Sequence, residues 1–250
     1  MHVRRKLVAG NWKMNGSLAQ LAELSAVAAA ARGASGVDVA ICPPFTLIAS
    51  AIARSGGLTV GAQDCHPKDS GAHTGNVSAP MLKEAGARLA IVGHSERRQD
   101  QGETDALVRA KAEAALRNGL TAIVCVGETE AEREAGSAVE RVSSQLAGSI
   151  PELAGEAELV VAYEPIWAIG TGRTATPQDV AEMHAAIRTA LVSRFGDAGG
   201  RIRILYGGSV NAGNAADLFA VENVDGGLVG GASLTAEQFV PIIRAAAARG

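Results

Sequence analysis

Three residues of this sequence stand where proton chemistry is easiest to build: Lys13, His94 and Glu164, each just beyond a short apolar run. Glu164 follows Leu159-Val160-Val161-Ala162-Tyr163 and precedes Pro165. A carboxylate at the end of an otherwise apolar strand suits a general base. It equally suits a cap or an ion pair, because charged residues commonly sit at element ends. His94 follows Leu89-Ala90-Ile91-Val92-Gly93 and precedes Ser95-Glu96 at a predicted helix start. The helix dipole there should lower its pKa and leave a neutral imidazole able to donate a hydrogen bond; a purely structural hydrogen bond is the other reading. Lys13 follows Leu7-Val8-Ala9-Gly10-Asn11-Trp12 and is either a solvated charge or a source of positive potential for an anion.

Two Gly-rich turns add a second kind of chemistry. Gly207-Gly208-Ser209 follows Ile202-Arg203-Ile204-Leu205-Tyr206, and Gly230-Gly231-Ala232-Ser233 follows Gly227-Leu228-Val229. Backbone N–H groups reach a phosphate only where side chains leave room, and a following helix start favours the anion further. Glycine in tight turns for its own sake is the competing explanation. After Glu164 runs Pro165-Ile166-Trp167-Ala168-Ile169-Gly170-Thr171-Gly172-Arg173-Thr174-Ala175. An apolar tip between a proline and a Gly-Thr-Gly segment is the composition of a lid with hinges, or of an ordinary packed loop.

The elements that must carry these residues are legible as alternation. To the five runs above are added Val37-Asp38-Val39-Ala40-Ile41, Leu58-Thr59-Val60-Gly61-Ala62 and Thr121-Ala122-Ile123-Val124-Cys125-Val126 (followed by Gly127-Glu128), giving eight. Most are apolar throughout, which fits parallel strands covered on both faces. Helical patterns fill the gaps: Leu18 to Ala31 before Gly33, Thr104 to Asn118 before Gly119, Thr176-Pro177 to Phe195, and Ala236 to Arg249. Eight strand–helix units without a composition break predict an α/β fold, a single (β/α)8 TIM barrel over residues 1–250. A doubly wound open sheet is the runner-up. In a barrel the polar residues that follow the strands converge at one mouth.

Composition bounds the rest. With 47% hydrophobic and 20% charged residues the chain has enough apolar material to fold. Phe, Trp and Tyr total 8 of 250, so the core must come from Val, Ile, Leu and Ala. A net charge of −3 argues against a nucleic-acid surface. Three widely spaced cysteines, Cys42, Cys65 and Cys125, suggest neither disulfides nor a zinc site. No run reaches the ~18 apolar residues of a membrane span, and the apolar run after the basic amino terminus is too short for a signal peptide. A cytoplasmic protein is expected.

Taken in order, these stretches closely resemble triosephosphate isomerase along essentially the whole chain. The match is carried by Gly10-Asn11-Trp12-Lys13-Met14-Asn15, Gly61-Ala62-Gln63, Ser70-Gly71-Ala72-His73-Thr74-Gly75, Val92 to Arg98, Cys125-Val126-Gly127-Glu128, Ala162 to Gly172, Tyr206 to Val210 and Leu228 to Ser233. The resemblance implies interconversion of dihydroxyacetone phosphate and D-glyceraldehyde 3-phosphate through an enediolate, without cofactor or metal. It implies Glu164 as the base, a neutral His94 polarising the carbonyl, and Lys13 and Asn11 holding the substrate and its negative charge. Glu96 would orient the cluster, pairing with Lys13 at some stage. Gly170, Ser209, Gly230 and Gly231 would grip the phosphate through backbone amides. Residues 165–175 would close as a lid, with Ile169 and Leu228 pressing on Glu164 to make it more basic. A homodimer is implied too, with Thr74 reaching the partner's site on the loop from Asp64 to Ala79.

Two departures from the family pattern bear on that interface. Asp64 stands where many relatives have Asn, and Asn76 where a carboxylate that would pair with Arg97 is usual; Asp64 is expected to supply the charge instead. Arg173 replaces a lysine at the second hinge. Other phosphate-binding barrels, such as metal-dependent sugar-phosphate epimerases, fit less well: His2, His66, His73 and His184 are not at predicted strand ends. A non-catalytic relative would be expected to lose Lys13, His94 or Glu164.

Overall fold

Strands with no polar face need cover on both sides, and the chain supplies it by closing the sheet on itself and wrapping it in helices. The computed structural model describes residues 4–152, 158–169 and 173–249. Its strands are β1 (Lys6–Asn11), β2 (Val37–Cys42), β3 (Thr59–Ala62), β4 (Leu89–Val92), β5 (Thr121–Val126), β6 (Leu159–Tyr163), β7 (Arg203–Tyr206) and β8 (Gly226–Val229). They form a closed parallel barrel in chain order. The closing pair runs from Leu7↔Gly226 to Gly10↔Val229, which excludes the open doubly wound sheet. Gly226 has φ +130°, and a Cβ there would stand 1.9 Å from the Leu7 carbonyl oxygen, so only glycine allows β8 to meet β1.

The helices are α1 (Glu23–Gly33), α2 (Ile48–Arg54), α3 (Ala79–Glu84), α4 (Ser95–Asp100), α5 (Asp105–Arg117), α6 (Glu130–Glu134), α7 (Ala138–Ser149), α8 (Pro177–Phe195), α9 (Asp197–Arg201), α10 (Ala215–Ala220) and α11 (Ala236–Ala247). Where capping chemistry was readable, the predicted starts hold. The Thr104 hydroxyl accepts from Leu107 N at 3.2 Å, and Thr176 with Asp179 forms a reciprocal capping box. The helix predicted from Leu18 begins later, as a 3-10 turn at Gln20–Ala22 leading into α1, with Ser17 Oγ accepting from Gln20 N at 3.2 Å ahead of it. Ile202 lies outside β7, where it ends α9.

The barrel lumen is filled by Leu7, Ala9, Ala40, Cys42, Leu89, Ile91, Ile123, Cys125, Val160, Ala162, Leu205 and Leu228, without one aromatic ring. Small and branched side chains suit the narrow taper of an eight-stranded barrel. All three cysteines are buried free thiols. Among the described residues no helix is long and apolar enough to cross a membrane.

His184 on α8 is fully buried. Its Nδ1 lies 3.0 Å from the Asn223 carbonyl oxygen and so carries the ring proton, while Nε2 has no partner among the described residues. Burial pushes its pKa down to about 4 from the ordinary 6.5. The unfolded chain therefore takes up this proton first. The stability tied to neutral His184 is complete above about pH 6.5, is lost as pH falls towards 4, and amounts to about 3 kcal/mol by then. Urea unfolding of wild type and His184→Gln should show the steeper acid loss in wild type; equal pH slopes would refute this.

Candidate active site

The strand ends bring the predicted residues to one mouth. Asn11 is the last residue of β1, His94 immediately precedes α4, Glu164 immediately follows β6, and Ser209 and Gly230 lie beyond β7 and β8. Lys13 adopts the left-handed region at φ +53°, a conformation that costs on the order of 1–3 kcal/mol in a residue with a side chain. It is clamped at both ends. Its N–H donates to Asn11 Oδ1 at 2.9 Å, and its carbonyl accepts from Gln63 Nε2 at 2.9 Å, the same nitrogen also donating to Cys42 O at 2.8 Å. Lys13 Nζ meets Glu96 Oε1 at 2.7 Å. A Cβ on Gly230 would stand only 3.3 Å from Lys13 Cε, so the second Gly-rich turn is held against the lysine.

His94 and Glu164 face each other directly, with Nε2 2.8 Å from Glu164 Oε1. Both side chains are almost wholly buried. Glu164 Oε2 accepts from Ser95 N at 3.0 Å. His94 Nδ1 accepts from Glu96 N at 3.3 Å, so the ring hydrogen is on Nε2 and points at the carboxylate. The expectation of a lowered His94 pKa is corrected here. Burial acts to lower the His94 pKa, but the Glu164 carboxylate outweighs it and the net shift is upward. Burial likewise acts to raise Glu164, yet His94 and the Ser95 N–H outweigh it and the net shift is downward. Each partner shields the other from the cost of its dry surroundings.

Beside this pair opens a cavity of about 430 Å³. Its lining includes Asn11, Lys13, His94 and Glu164, the glycine-rich turns at Gly207-Gly208-Ser209 and Gly230-Gly231, and the apolar Ile169 and Leu228. A Cβ on Gly207 would lie 2.9 Å from Glu164 Cγ, so this glycine leaves the carboxylate its place. The turn after β8 is fixed from behind: Ser233 Oγ donates to Gly230 O at 2.7 Å, and the buried Trp12 indole donates to Ser233 O at 3.0 Å. Gly170, Thr171 and Gly172 lie outside the described residues.

The start of the predicted lid rests on Glu128, which sequence reasoning noted only as following β5. Its buried Oε1 accepts from Trp167 Nε1 at 2.8 Å, Arg133 Nε at 2.8 Å and Tyr163 Oη at 3.0 Å. Pro165 is buried, Ile166–Ala168 form a 3-10 turn, and Ala168 is buried. Beyond the undescribed stretch, Arg173 pairs with Glu130 and its guanidinium lies over the Trp167 ring at 5.6 Å; Thr174 is exposed and Ala175 buried. Ser95 and Gln63 were also missed as positioning residues, though each sat inside a quoted motif.

Glu96 lines a second cavity, of about 230 Å³, with Lys13, Met14, Phe45, Gln63 and Arg97. Met14 projects almost fully exposed at its edge. Arg97 Nη2 meets Asp64 Oδ2 at 2.8 Å, as expected for Asp64, and Arg97 Nε meets Glu103 Oε1 at 2.6 Å. The buried Lys111 ammonium lies 2.7 Å from Asp64 and 2.5 Å from Glu103 behind them. Thr74 is exposed and lines neither cavity of its own chain. Among the described residues no cluster of His, Cys, Asp or Glu is arranged to hold a metal ion.

The pattern of one family, triosephosphate isomerase, matches residues 6–246. The chain belongs to the triosephosphate isomerase family. Relatives of that name include proteins of Ruegeria sp. (strain TM1040), 59% identical over 98% of this chain and 99% of theirs, and of Dinoroseobacter shibae, 61% identical over 97% and 99%. The crystal structure of triosephosphate isomerase from Bartonella henselae superposes with a TM-score of 0.89 at 48% identity, covering 96% of this chain and 98% of that one. Membership makes the chain an isomerase and favours no other phosphate-binding barrel.

Because Glu164 is what holds the His94 pKa up, Glu164→Gln should lower the imidazole's titration midpoint. NMR titration of the His94 ring checks this, and an unchanged or higher midpoint would overturn it.

Proposed function

We propose that the protein interconverts dihydroxyacetone phosphate and D-glyceraldehyde 3-phosphate by proton transfer through an enediolate, without cofactor or metal, within one barrel domain spanning residues 1–250. The observation that carries this is the His94–Glu164 pair, 2.8 Å apart, bordering a cavity that also presents Lys13 and two Gly-rich turns.

A substrate seated between the pair replaces each partner with its own atoms. Its carbonyl oxygen accepts the Nε2–H of His94, and Glu164 is released towards the carbon-bound hydrogen. The exchange changes both acidities in the useful direction. Without the Glu164 carboxylate beside it, His94 is left with burial, Lys13 and the Glu96 N–H, which favour the neutral ring, against the smaller pull of the Glu96 carboxylate. Without His94 beside it, Glu164 loses the largest influence opposing burial and keeps the Ser95 N–H and Cys125 contacts, so its pKa rises and it becomes a stronger base. Ile169 and Leu228 supply apolar surroundings for that step. Glu164 then takes a proton from one carbon and returns it to its neighbour, while His94 moves hydroxyl protons.

Lys13 and Asn11 hold the substrate and offset the enediolate charge, and Glu96 holds Lys13 until the anion arrives. The phosphate is gripped by backbone amides of Gly170, Ser209, Gly230 and Gly231. Pro165 to Ala175 close as the lid, excluding water so that the enediolate does not eliminate phosphate. The working form is a homodimer in which Thr74 of one protomer reaches the Asn11 and His94 region of its partner; the cavity lined by Asn11 and His94 with the exposed Met14 beside it supports this. Three buried free thiols fit the reducing cytoplasm.

Coupled assay of glyceraldehyde 3-phosphate turnover is the test. Glu164→Asp and His94→Gln should each lower kcat by ~10²-fold or more with the fold intact. Full activity in Glu164→Ala would refute the assignment of the base. For the dimer, Met14→Arg should shift sedimentation towards monomer and lower specific activity with it; a fully active monomer would overturn the role of Thr74.

A further inference from the structure

At the end of the barrel opposite Glu164, a cavity of about 500 Å³ opens among the amino-terminal starts of the strands. It is larger than the catalytic cavity and within the size range of small-molecule sites. Its floor is apolar, formed by Leu7, Ala28, Val39, Leu58 and Leu89. Each of these side chains keeps only 3–7% of its surface exposed, so the floor is close-packed and offers a narrow apolar face at the bottom of the cavity.

The charges around it are unevenly spent. Asp38 accepts from Arg5 Nε at 2.8 Å and from Arg203 Nη1 at 2.7 Å. Glu158 pairs with Arg203 and accepts from Thr121 Oγ1 at 2.9 Å. Both carboxylates of the lining are therefore already neutralised. Two further guanidinium groups line the cavity. Among the described residues Arg32 donates only to the Gly56 carbonyl, at 3.1 Å. Arg88 has no carboxylate or carbonyl partner for its side chain among the described residues.

We infer that this cavity is a second binding site, for a small organic anion with an apolar body. The apolar part lies on Leu58 and Leu89, and a carboxylate, sulfonate or phosphate head meets Arg32 and Arg88. A guanidinium presents a planar fork of donors to such a head, and apolar surface contributes roughly 25 cal/mol per Å² covered.

Fluorescence titration of the intact protein with 8-anilinonaphthalene-1-sulfonate tests the site. Binding should be saturable, weaken with salt, and lose ~10-fold or more in affinity in an Arg32→Ala/Arg88→Ala variant, while triose phosphate turnover stays at the wild-type level. That loss corresponds to about 1.4 kcal/mol. No saturable binding, equal affinity in the variant, or displacement of the probe by inorganic phosphate at the concentrations that inhibit turnover would each overturn the proposal.

Discussion

A single hydrogen bond across the barrel mouth, from His94 Nε2 to Glu164 Oε1, makes the burial of two ionisable groups tolerable. An isolated carboxylate this dry would protonate, and an isolated imidazole would be a weaker base than usual. Paired, each shifts the other way. The register brings the pair to one height: Val92 of β4 is level with Val124 of β5, and Val124 with Val161 of β6, so His94 and Glu164 follow two and three residues later. The intervening β5 pairs with both strands, from Leu89↔Thr121 on one side to Val126↔Tyr163 on the other. Ser95, the first residue of α4, then offers its N–H to the second carboxylate oxygen. Register, helix start and proton affinity are thus one arrangement.

The lysine side of the mouth is built at a cost. Lys13 sits in a backbone region that side chains disfavour, and it persists because Asn11 and Gln63 hold its N–H and its carbonyl. Behind it, Trp12 ties the same turn to Ser233, and through Ser233 to Gly230. The groups that would meet an anion from opposite sides are therefore mechanically one unit. Strain of this kind is typical of sites where the direction of a charge matters more than local stability.

The sequence revealed the strands, the mouth and its chemical residues because those signals are local. Apolar runs between glycines mark strands, and a lone Glu164 after a fully apolar run marks a strand end. What it concealed depends on distance. Nothing near Glu128 shows that Trp167, Arg133 and Tyr163 converge on one of its oxygens. Nothing near Asp64 shows Lys111, 47 positions away, behind its pairing with Arg97. The direction of the His94 shift is hidden from the sequence for a related reason. The helix start and the apolar surroundings were visible locally, whereas the opposing partner comes from a strand 69 or more residues distant, as the Ser95–Glu164 contact shows.

The lumen explains why so few aromatic residues suffice and why the site lies where it does. Side chains pointing inward on an eight-stranded barrel must share a narrow column, and here Ala9, Ala40 and Ala162 alternate with leucine and isoleucine to fill it. That column stops at the strand ends. Leu228 belongs both to the packed lumen and to the lining of the catalytic cavity, and Cys125 lies in the lumen with its thiol pushed up by burial and by the nearby Glu164. The floor of the site is thus the top of the core. An active site on this floor inherits a dry, rigid base without any residue dedicated to the purpose, and only the loops above it need to be assembled from polar parts.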